Sequence, residues 1–454
     1  MLPVVTPDEM RAIDAESDQP VDVLVARAGA AVAREALRLL GGAYGRRVVV
    51  VAGPGNNGAD GRVAAARLAE RGVAVRVLDA RDLPARIPAA DLVIDAGFGT
   101  GFRGEWRPPS IDGSRVLAVD VPTGLDAMTG HAPPGTWRAD VTVTFAAAKP
   151  GHVLGAGPAT VGRLVVADIG LDVGRSTIGI VEQADVAAWL PRRHRSAHKW
   201  KHAVRVVAGS PGMTGAAALV AGAAQRAGSG MVVLSSPGID AEAPVEVVRR
   251  RLPAFDWADD LASDLHRFHA LVVGPGLGRE RHTLPSVVRA VTDSVVPVLV
   301  DGDGLFALSW NESGTPAFLR DREVPTVLTP HDGEYALLTG SPPGDDRVAA
   351  AHRLVEMSGA VVLLKGPSTV VATPDGRTLL VANGDERLAT AGTGDVLSGV
   401  IAGLLAMGVP PAEAAAGGAW IHAAAAGRRP RRGLVAGDLL AEIPAVLGAL
   451  DPGT

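Results

Sequence analysis

Short runs of consecutive apolar residues recur along the chain, each followed by a glycine-rich or polar turn and then by residues at helical spacing. Runs of Val, Ile, Leu and Ala without alternation read as strands buried on both faces, as in a parallel sheet. In the first half they predict strands over 47–52, 73–78, 91–95, 116–120, 141–145 and 164–166. Apolar spacing over 21–40 and 62–71 predicts helices, closed by Gly41-Gly42 and by Gly72. The pattern breaks over 171–203, where Pro191-Arg-Arg-His-Arg-Ser-Ala-His-Lys-Trp-Lys-His is basic and aperiodic, as a linker or domain entry would be. A second series follows, with strands over 204–208, 231–234, 270–273, 296–300, 326–328 and 361–364. Runs at 369–372 and 378–381 then flank Pro374-Asp375-Gly376, a hairpin signal. The expectation is an α/β protein of two doubly wound domains, residues 1–190 and 191–454.

Composition narrows the partners. Aromatic residues make up 4% and the formal net charge is −5, so an extended nucleic-acid groove is not expected. The absence of cysteine removes disulfides, thiolate metal sites and a cysteine nucleophile. The N-terminus turns polar before a signal-peptide core forms, and the apolar stretch 396–409 is too short and too interrupted by Ser398, Gly399, Gly403 and Gly408 to span a bilayer. A cytoplasmic protein without a membrane partner, forming a homo-oligomer, is expected. The chain has four lysines, Lys149, Lys199, Lys201 and Lys365, among many arginines. Codon bias, with four survivors placed by chance, is one reading of them. The other is that a compact ammonium is needed where a guanidinium fork will not serve, and Lys365, at the end of an apolar strand and before a glycine, is the best candidate.

Three strand ends in the first half carry polar chemistry. Gly53-Pro-Gly-Asn-Asn-Gly-Ala-Asp-Gly61 joins a strand to a helix, with a spacing that fits neither a Walker loop nor a dinucleotide fingerprint. Asn56, Asn57 and Asp60 offer oxygens and amides to a polar ligand or a hard cation. Asp95 runs into Ala-Gly-Phe-Gly-Thr-Gly-Phe-Arg-Gly-Glu105, and Asp120 into Val-Pro-Thr-Gly124. One aspartate alone serves equally well as a loop cap; three at neighbouring parallel strand ends converge on one crevice.

These elements resemble the N-terminal domain of NAD(P)H-hydrate epimerases, the YjeF N-terminal family, over roughly residues 1–190. The resemblance implies a Rossmann-like three-layer sandwich. It implies that Asn56, Asn57, Gly58, Ala59 and Asp60, with Gly99, Thr100, Gly101, Phe102, Arg103, Gly104 and Glu105, hold the hydrated nicotinamide nucleotide. A potassium ion on Asn57, Asp95 and Thr123 is implied, as is Asp120 as the acid/base that inverts the hydroxyl-bearing carbon. Ala59 departs from the family's second glycine.

In the second half, Ala391-Gly-Thr-Gly-Asp395 heads a helix that is apolar along one face. Its glycines let backbone approach a ligand, and N–H groups at a helix start suit an anion. An aspartate there repels phosphate, unless its task is to take the proton from a hydroxyl that attacks that phosphate. Loops at 209–217, 274–278, 301–304, 329–334 and 365–369 follow apolar strands in the same way. Thr329-Pro-His-Asp-Gly-Glu334 and Gly-Thr-Gly-Asp together resemble the ADP- or ATP-dependent NAD(P)H-hydrate dehydratases of the ribokinase-like superfamily, over about 198–450. That resemblance implies that Ala216, Gly276, Gly278, His331 and Asp395 line the substrate site. Lys365, Gly366, Pro367, Ser368, Thr369 and Gly394 would hold ADP or ATP, and a magnesium ion would offset phosphate charge. Asp301-Gly302-Asp303 departs from the more usual Asp-Ala-Asp. His198 and His202 lack a third ligand nearby and are not expected to bind metal, and His266 and His269 read as a solvated helix face.

The implied function is bifunctional repair: the first domain interconverts the R and S hydrates of NADH and NADPH, and the second dehydrates the S form at the expense of ADP. The residues alone leave open a small-molecule kinase in the second half, fused to a non-catalytic binding or scaffolding domain.

Overall fold

The computed structural model describes residues 1–102, 104, 106–192, 195–196, 198–310 and 316–451. It divides into two compact units, Leu2–Ile178 and a second beginning at Gly179. The division falls before 190 because Val186 belongs to the second unit's core, and Ala187, Trp189 and Leu190 pack against that core.

In the first unit, strands β1 (Arg47–Ala52), β2 (Ala74–Asp79), β3 (Leu92–Ala96), β4 (Arg115–Val119), β5 (Val141–Phe145) and β6 (Arg163–Ala167) form one parallel sheet in the order β2-β1-β3-β4-β5-β6. Helices α1 (Pro7–Glu16), α2 (Val21–Leu40) and α3 (Asn56–Glu70) accompany it. Residues of α2 and α3 pack on Val48, Val50, Leu92 and Ile94. The opposite face, with Val49, Val51, Val93 and Ala118, is covered by Ile87, Trp137 and Ala139. These three come from crossovers that form no helix among the described residues, which is the departure from a regular strand–helix alternation. Their glycines and prolines oppose a helix.

α2 ends where expected, at Gly41 in the left-handed conformation. α3 starts six residues earlier than the predicted 62, so Asn56–Gly61, expected as loop, forms its first turns. A tight fit enforces that start. A methyl at Gly58 would stand 1.9 Å from the Gly53 carbonyl oxygen. Gly58→Ala is therefore expected to destabilise the first unit by about 1–3 kcal/mol through overpacking, seen by calorimetry as a lowered transition for that unit alone.

In the second unit, β7 (Ala203–Val207), β8 (Met231–Ser235), β9 (Val248–Arg249), β10 (Ala270–Val273), β11 (Val298–Val300), β12 (Thr326–Leu328) and β13 (Val361–Leu364) are parallel. β14 (Thr369–Ala372) and β15 (Thr378–Val381) add the predicted antiparallel hairpin. The order is β15-β14-β13-β12-β11-β10-β7-β8-β9. Helices α4 (Thr214–Arg226), α5 (Asp332–Thr339), α6 (Thr393–Ala406) and α7 (Pro411–Gly427) carry or support its loops. α6 is buried almost all round, not on one face only, from Val396 to Ala406. A methyl at Gly399 would meet the Val220 carbonyl oxygen at 2.3 Å, so α6 lies backbone-close on α4. In both sheets the strand order reverses beside the first strand of the unit, opening a crevice at the carboxyl ends.

Candidate active sites

In the first unit that crevice is a cavity of about 670 Å³ between the loops after β1 and β3. Asn56, Asn57, Asp60, Gly99, Thr100, Gly101, Phe102 and Asp120 line it, as expected from the sequence. Phe98 stacks on Phe102 at 4.5 Å and meets Trp106 edge-on at 5.7 Å, and Phe98 and Phe102 both line the cavity. Gly58, Ala59 and Gly104 do not line the cavity, and Gly58 packs on backbone instead. Arg103 and Glu105 lie outside the described residues.

Asp95 and Thr123 sit beneath the floor, both fully buried. Thr123 donates its N–H (2.9 Å) and its hydroxyl (2.6 Å) to the Asp95 carboxylate, and the Gly97 N–H adds a third bond at 3.3 Å. Burial raises the Asp95 pKa, partly offset by these bonds, and no basic side chain is paired with it among the described residues. Both amide atoms of Asn57 are buried without a partner. A carboxylate short of positive charge and an amide short of partners suit a hard monovalent cation.

Asp120 is held from three sides. Its φ is 65°, a strained value for a residue other than glycine. Lys149 donates to Oδ1 at 2.8 Å and the Thr144 hydroxyl at 2.9 Å. His152 Nδ1 accepts the Lys149 N–H at 3.0 Å, so its protonated Nε2 donates to the Asp120 carbonyl at 2.9 Å. Burial, then the Lys149 ammonium, pushes the His152 pKa down to about 4, which keeps the ring neutral. Burial also pushes Asp120 up, but Lys149, by charge and hydrogen bond, outweighs it and holds the carboxyl below its usual range. Across the cavity Asp60 is 6% exposed and pushed up to about 8, first by burial and then by Asp120. One carboxylate and one carboxylic acid thus face the same space near neutral pH.

Asp14, Lys149 and His152 escaped the sequence reading. Only the scarcity of lysine pointed toward Lys149. Asp14 comes from α1, a helix not anticipated, and burial raises its pKa.

In the second unit Asp301, at the end of β11, is the hub. Its Oδ1 accepts from Lys365 at 2.7 Å and its Oδ2 from the Ser398 hydroxyl at 2.7 Å. Lys365 also lies 3.5 Å from Glu334. Glu334 in turn accepts the His331 N–H at 2.8 Å while His331 Nδ1 caps the Gly333 and Glu334 N–H groups. His331 is thus the N-cap of α5. Burial opposes the charges of Asp301 and Lys365, but each stabilises the other: the Asp301 pKa is lowered and the Lys365 pKa raised.

Thr393, Gly394 and Asp395 form the first turn of α6, one turn earlier than the helix expected from 396. Gly392 precedes them in the left-handed conformation at φ 89°. A methyl at Gly394 would stand 3.7 Å from Lys365 Nζ, so ammonium and helix start share one pocket. Burial, then Asp301, pushes the Asp395 carboxyl up to about 7, against the pull of Lys365. Ala216 lies beside Gly276, and the Gly278 N–H donates to Asp303 at 2.9 Å. Gly366, Pro367, Ser368 and Thr369 make the turn from β13 into β14, next to Lys365. Asp301, Glu334 and Ser398 were given no role from sequence, although Asp301 ends a strand just as Asp95 does. His202 bonds the Ala406 carbonyl at 3.1 Å, and no group of three His, Cys, Asp or Glu side chains placed to hold a metal occurs among the described residues.

Residues 204–445, more than half of the chain, match the family model described as NAD(P)H-hydrate dehydratase. Segments 21–87 and 78–151 match the YjeF-related protein N-terminus. A bifunctional NAD(P)H-hydrate repair enzyme of Moorella thermoacetica is 38% identical, over 99% of this chain and 97% of that protein. The chain belongs to this family. A relative of the same name in Mycobacterium tuberculosis is 39% identical over 90% of each chain. The ADP/ATP-dependent NAD(P)H-hydrate dehydratase of Bacillus subtilis, co-crystallised with ATP and Mg²⁺, matches 60% of this chain and 98% of its own at 29% identity and a TM-score of 0.51. A ribokinase-like protein of Enterococcus faecalis, 19% identical with a TM-score of 0.51, shares the fold. As a bifunctional NAD(P)H-hydrate repair enzyme, the protein carries its epimerase in the first domain and its dehydratase in the second. The kinase-and-scaffold alternative is not favoured. No helix among the described residues is long and apolar enough to cross a membrane.

Proposed function

We propose that Asp395 is the base of an ADP-dependent dehydration and Asp120 the acid/base of an epimerisation, each in its own domain. The observation that carries the dehydratase reading is a carboxyl poised near neutrality at the start of α6, beside the Lys365 ammonium. Asp395 takes the proton of the ring hydroxyl, and that oxygen attacks the terminal phosphorus of ADP, releasing AMP. The ring C–O bond then breaks, phosphate departs with its electron pair, and loss of a neighbouring ring proton restores NADH or NADPH. Lys365, tied to Asp301, and the N–H groups at the start of α6 would face the phosphates, with Gly366–Thr369 alongside. Asp301 and Glu334 are already engaged by Lys365, so magnesium is expected to enter on the nucleotide phosphates, whose charge it offsets.

In the first domain Asp120, as carboxylate, and Asp60, as acid, are placed to move protons as the hydroxyl leaves one face of the ring carbon and returns on the other. Asn57, Asp95 and Thr123 would hold potassium, supported by the buried uncompensated carboxylate and the unpartnered amide. The nucleotide substrates suit a cytoplasmic enzyme, and assembly into a homo-oligomer is read by light scattering.

One assay tests both halves. A mixture of the two hydrate epimers is incubated with ADP or ATP, and the absorbance of reduced nicotinamide is followed. The expected result is full recovery, faster with ADP, with the second half of the recovery slowed when potassium is replaced by lithium. Recovery of the S form alone under all conditions overturns the epimerase assignment.

A further inference from the structure

Beside the dehydratase site lies a surface that the chemistry of the reacting centre does not use. Gly278, whose N–H binds Asp303, is followed by Arg279, which donates to the other Asp303 oxygen at 2.9 Å. The Arg279 guanidinium lies over Phe306 at 4.7 Å, and Phe306 lies 6.1 Å from Trp310. Arg281 lies over Trp310 at 5.6 Å, and no carboxylate is paired with it among the described residues. Phe255 packs on His282 at 4.7 Å beside this row. Phe255 and Trp310 are 61% and 52% exposed, in a chain whose aromatic content is 4%. Two arginines and exposed rings, ranked outward from the active-site loop, match a ligand with phosphates and a flat base.

The reacting hydroxyl must reach Asp395, with the phosphate donor on the Lys365 side. The rest of the dinucleotide must then leave past the loops on the other side, where Gly276 and Gly278 lie. We propose that Arg279, Arg281, Phe306 and Trp310 hold the adenosine diphosphate half of the hydrated dinucleotide, the arginines facing its pyrophosphate and a ring stacking on its adenine. The proposal rests on the dehydratase reading above. It assigns the surface a role in substrate selection, because a nicotinamide mononucleotide hydrate carries the same reacting ring and lacks that half.

The test compares the hydrates of NADH and of reduced nicotinamide mononucleotide as substrates for wild type, Trp310→Ala and Arg281→Ala, with ADP saturating. Both positions are exposed, so folding should survive, and circular dichroism checks it. In each variant the ratio of kcat/KM for the dinucleotide hydrate over the mononucleotide hydrate is expected to fall by about tenfold, in the range of a lost stacking or phosphate contact. An unchanged ratio overturns the subsite. A raised KM for ADP with an unchanged ratio also overturns it, by giving the surface to the phosphate donor. Wild type that turns over neither hydrate refutes the dehydratase reading itself.

Discussion

Asp395→Asn is expected to lower dehydratase kcat by about 10²–10⁴-fold, the usual value of a positioned base. Nucleotide binding should survive. The Lys365–Asp301 pair, the Ser398 bond and the α6 N–H groups are untouched by the exchange of one oxygen for NH₂. The exchange also removes a negative charge from the phosphate pocket, so ADP affinity should hold or rise. Calorimetric titration with ADP alongside turnover separates the two effects. Unchanged turnover would refute the base assignment. A loss of both binding and turnover would instead show that Asp395 shapes the pocket.

The acidity of the same group fixes the sign of a pH effect. With the Asp395 pKa raised to about 7, the carboxylate needed as base is the minor form below that pH and the major form above it. In the wild type, kcat/KM for dehydration should therefore rise about tenfold per pH unit on the acid side and level off above neutrality. Asp301 and Glu334 both face Asp395 and push in the same direction, whereas Lys365 opposes them. Neutralising Asp301 would lower the Asp395 pKa but also release Lys365, so Asp395 itself is the cleaner probe.

The strands were legible because parallel strands buried on both faces leave uninterrupted apolar runs, and 141–145, 270–273, 326–328 and 361–364 fell where the runs do. The starts of α3 and α6 were not. Asn-Asn-Gly-Ala-Asp-Gly and Thr-Gly-Asp are poor helix formers by local propensity. They are helical here because close backbone packing, Gly58 on Gly53 and Gly399 on Val220, decides the matter from outside the segment. The consequence is chemical: Asp60 and Asp395 sit on the first turns of helices, not in free loops. Asp120 and Asp395 stand out as candidates from their neighbours in sequence. Asp120's supporting residues do not, because Lys149 lies 29 positions away in an undistinguished Ala-Ala-Ala-Lys-Pro-Gly-His.

Lys149→Met should abolish most epimerase activity without touching the substrate-binding loops. Lys149 is almost fully buried and divides its protons among Asp120, the Thr144 hydroxyl and the carbonyls of Phe145 and Ala147. With every proton so engaged, it acts by holding Asp120. Its removal leaves a buried carboxylate without its cation, with only the Thr144 hydroxyl still donating to it, a cost of about 3–5 kcal/mol when one partner of such a pair is lost. Asp120 escapes that cost by taking a proton, since burial then pushes its pKa up against only the Thr144 hydrogen bond and the His152 ring. At pH 7 the epimerase should fall by about 10²-fold or more, and it should recover partly as pH rises and Asp120 ionises again. Lys149→Arg keeps the charge but not the compact ammonium, so it should retain the acid limb of the wild-type profile at reduced kcat. The double variant Lys149→Met with Asp120→Asn should regain stability but not activity, because position 120 then carries neither an unpaired charge nor a base. A single variant whose epimerase profile matches wild type from pH 6 to 9 would remove Lys149 from the mechanism, and with it the reason Asp120 stays ionised in so dry a place.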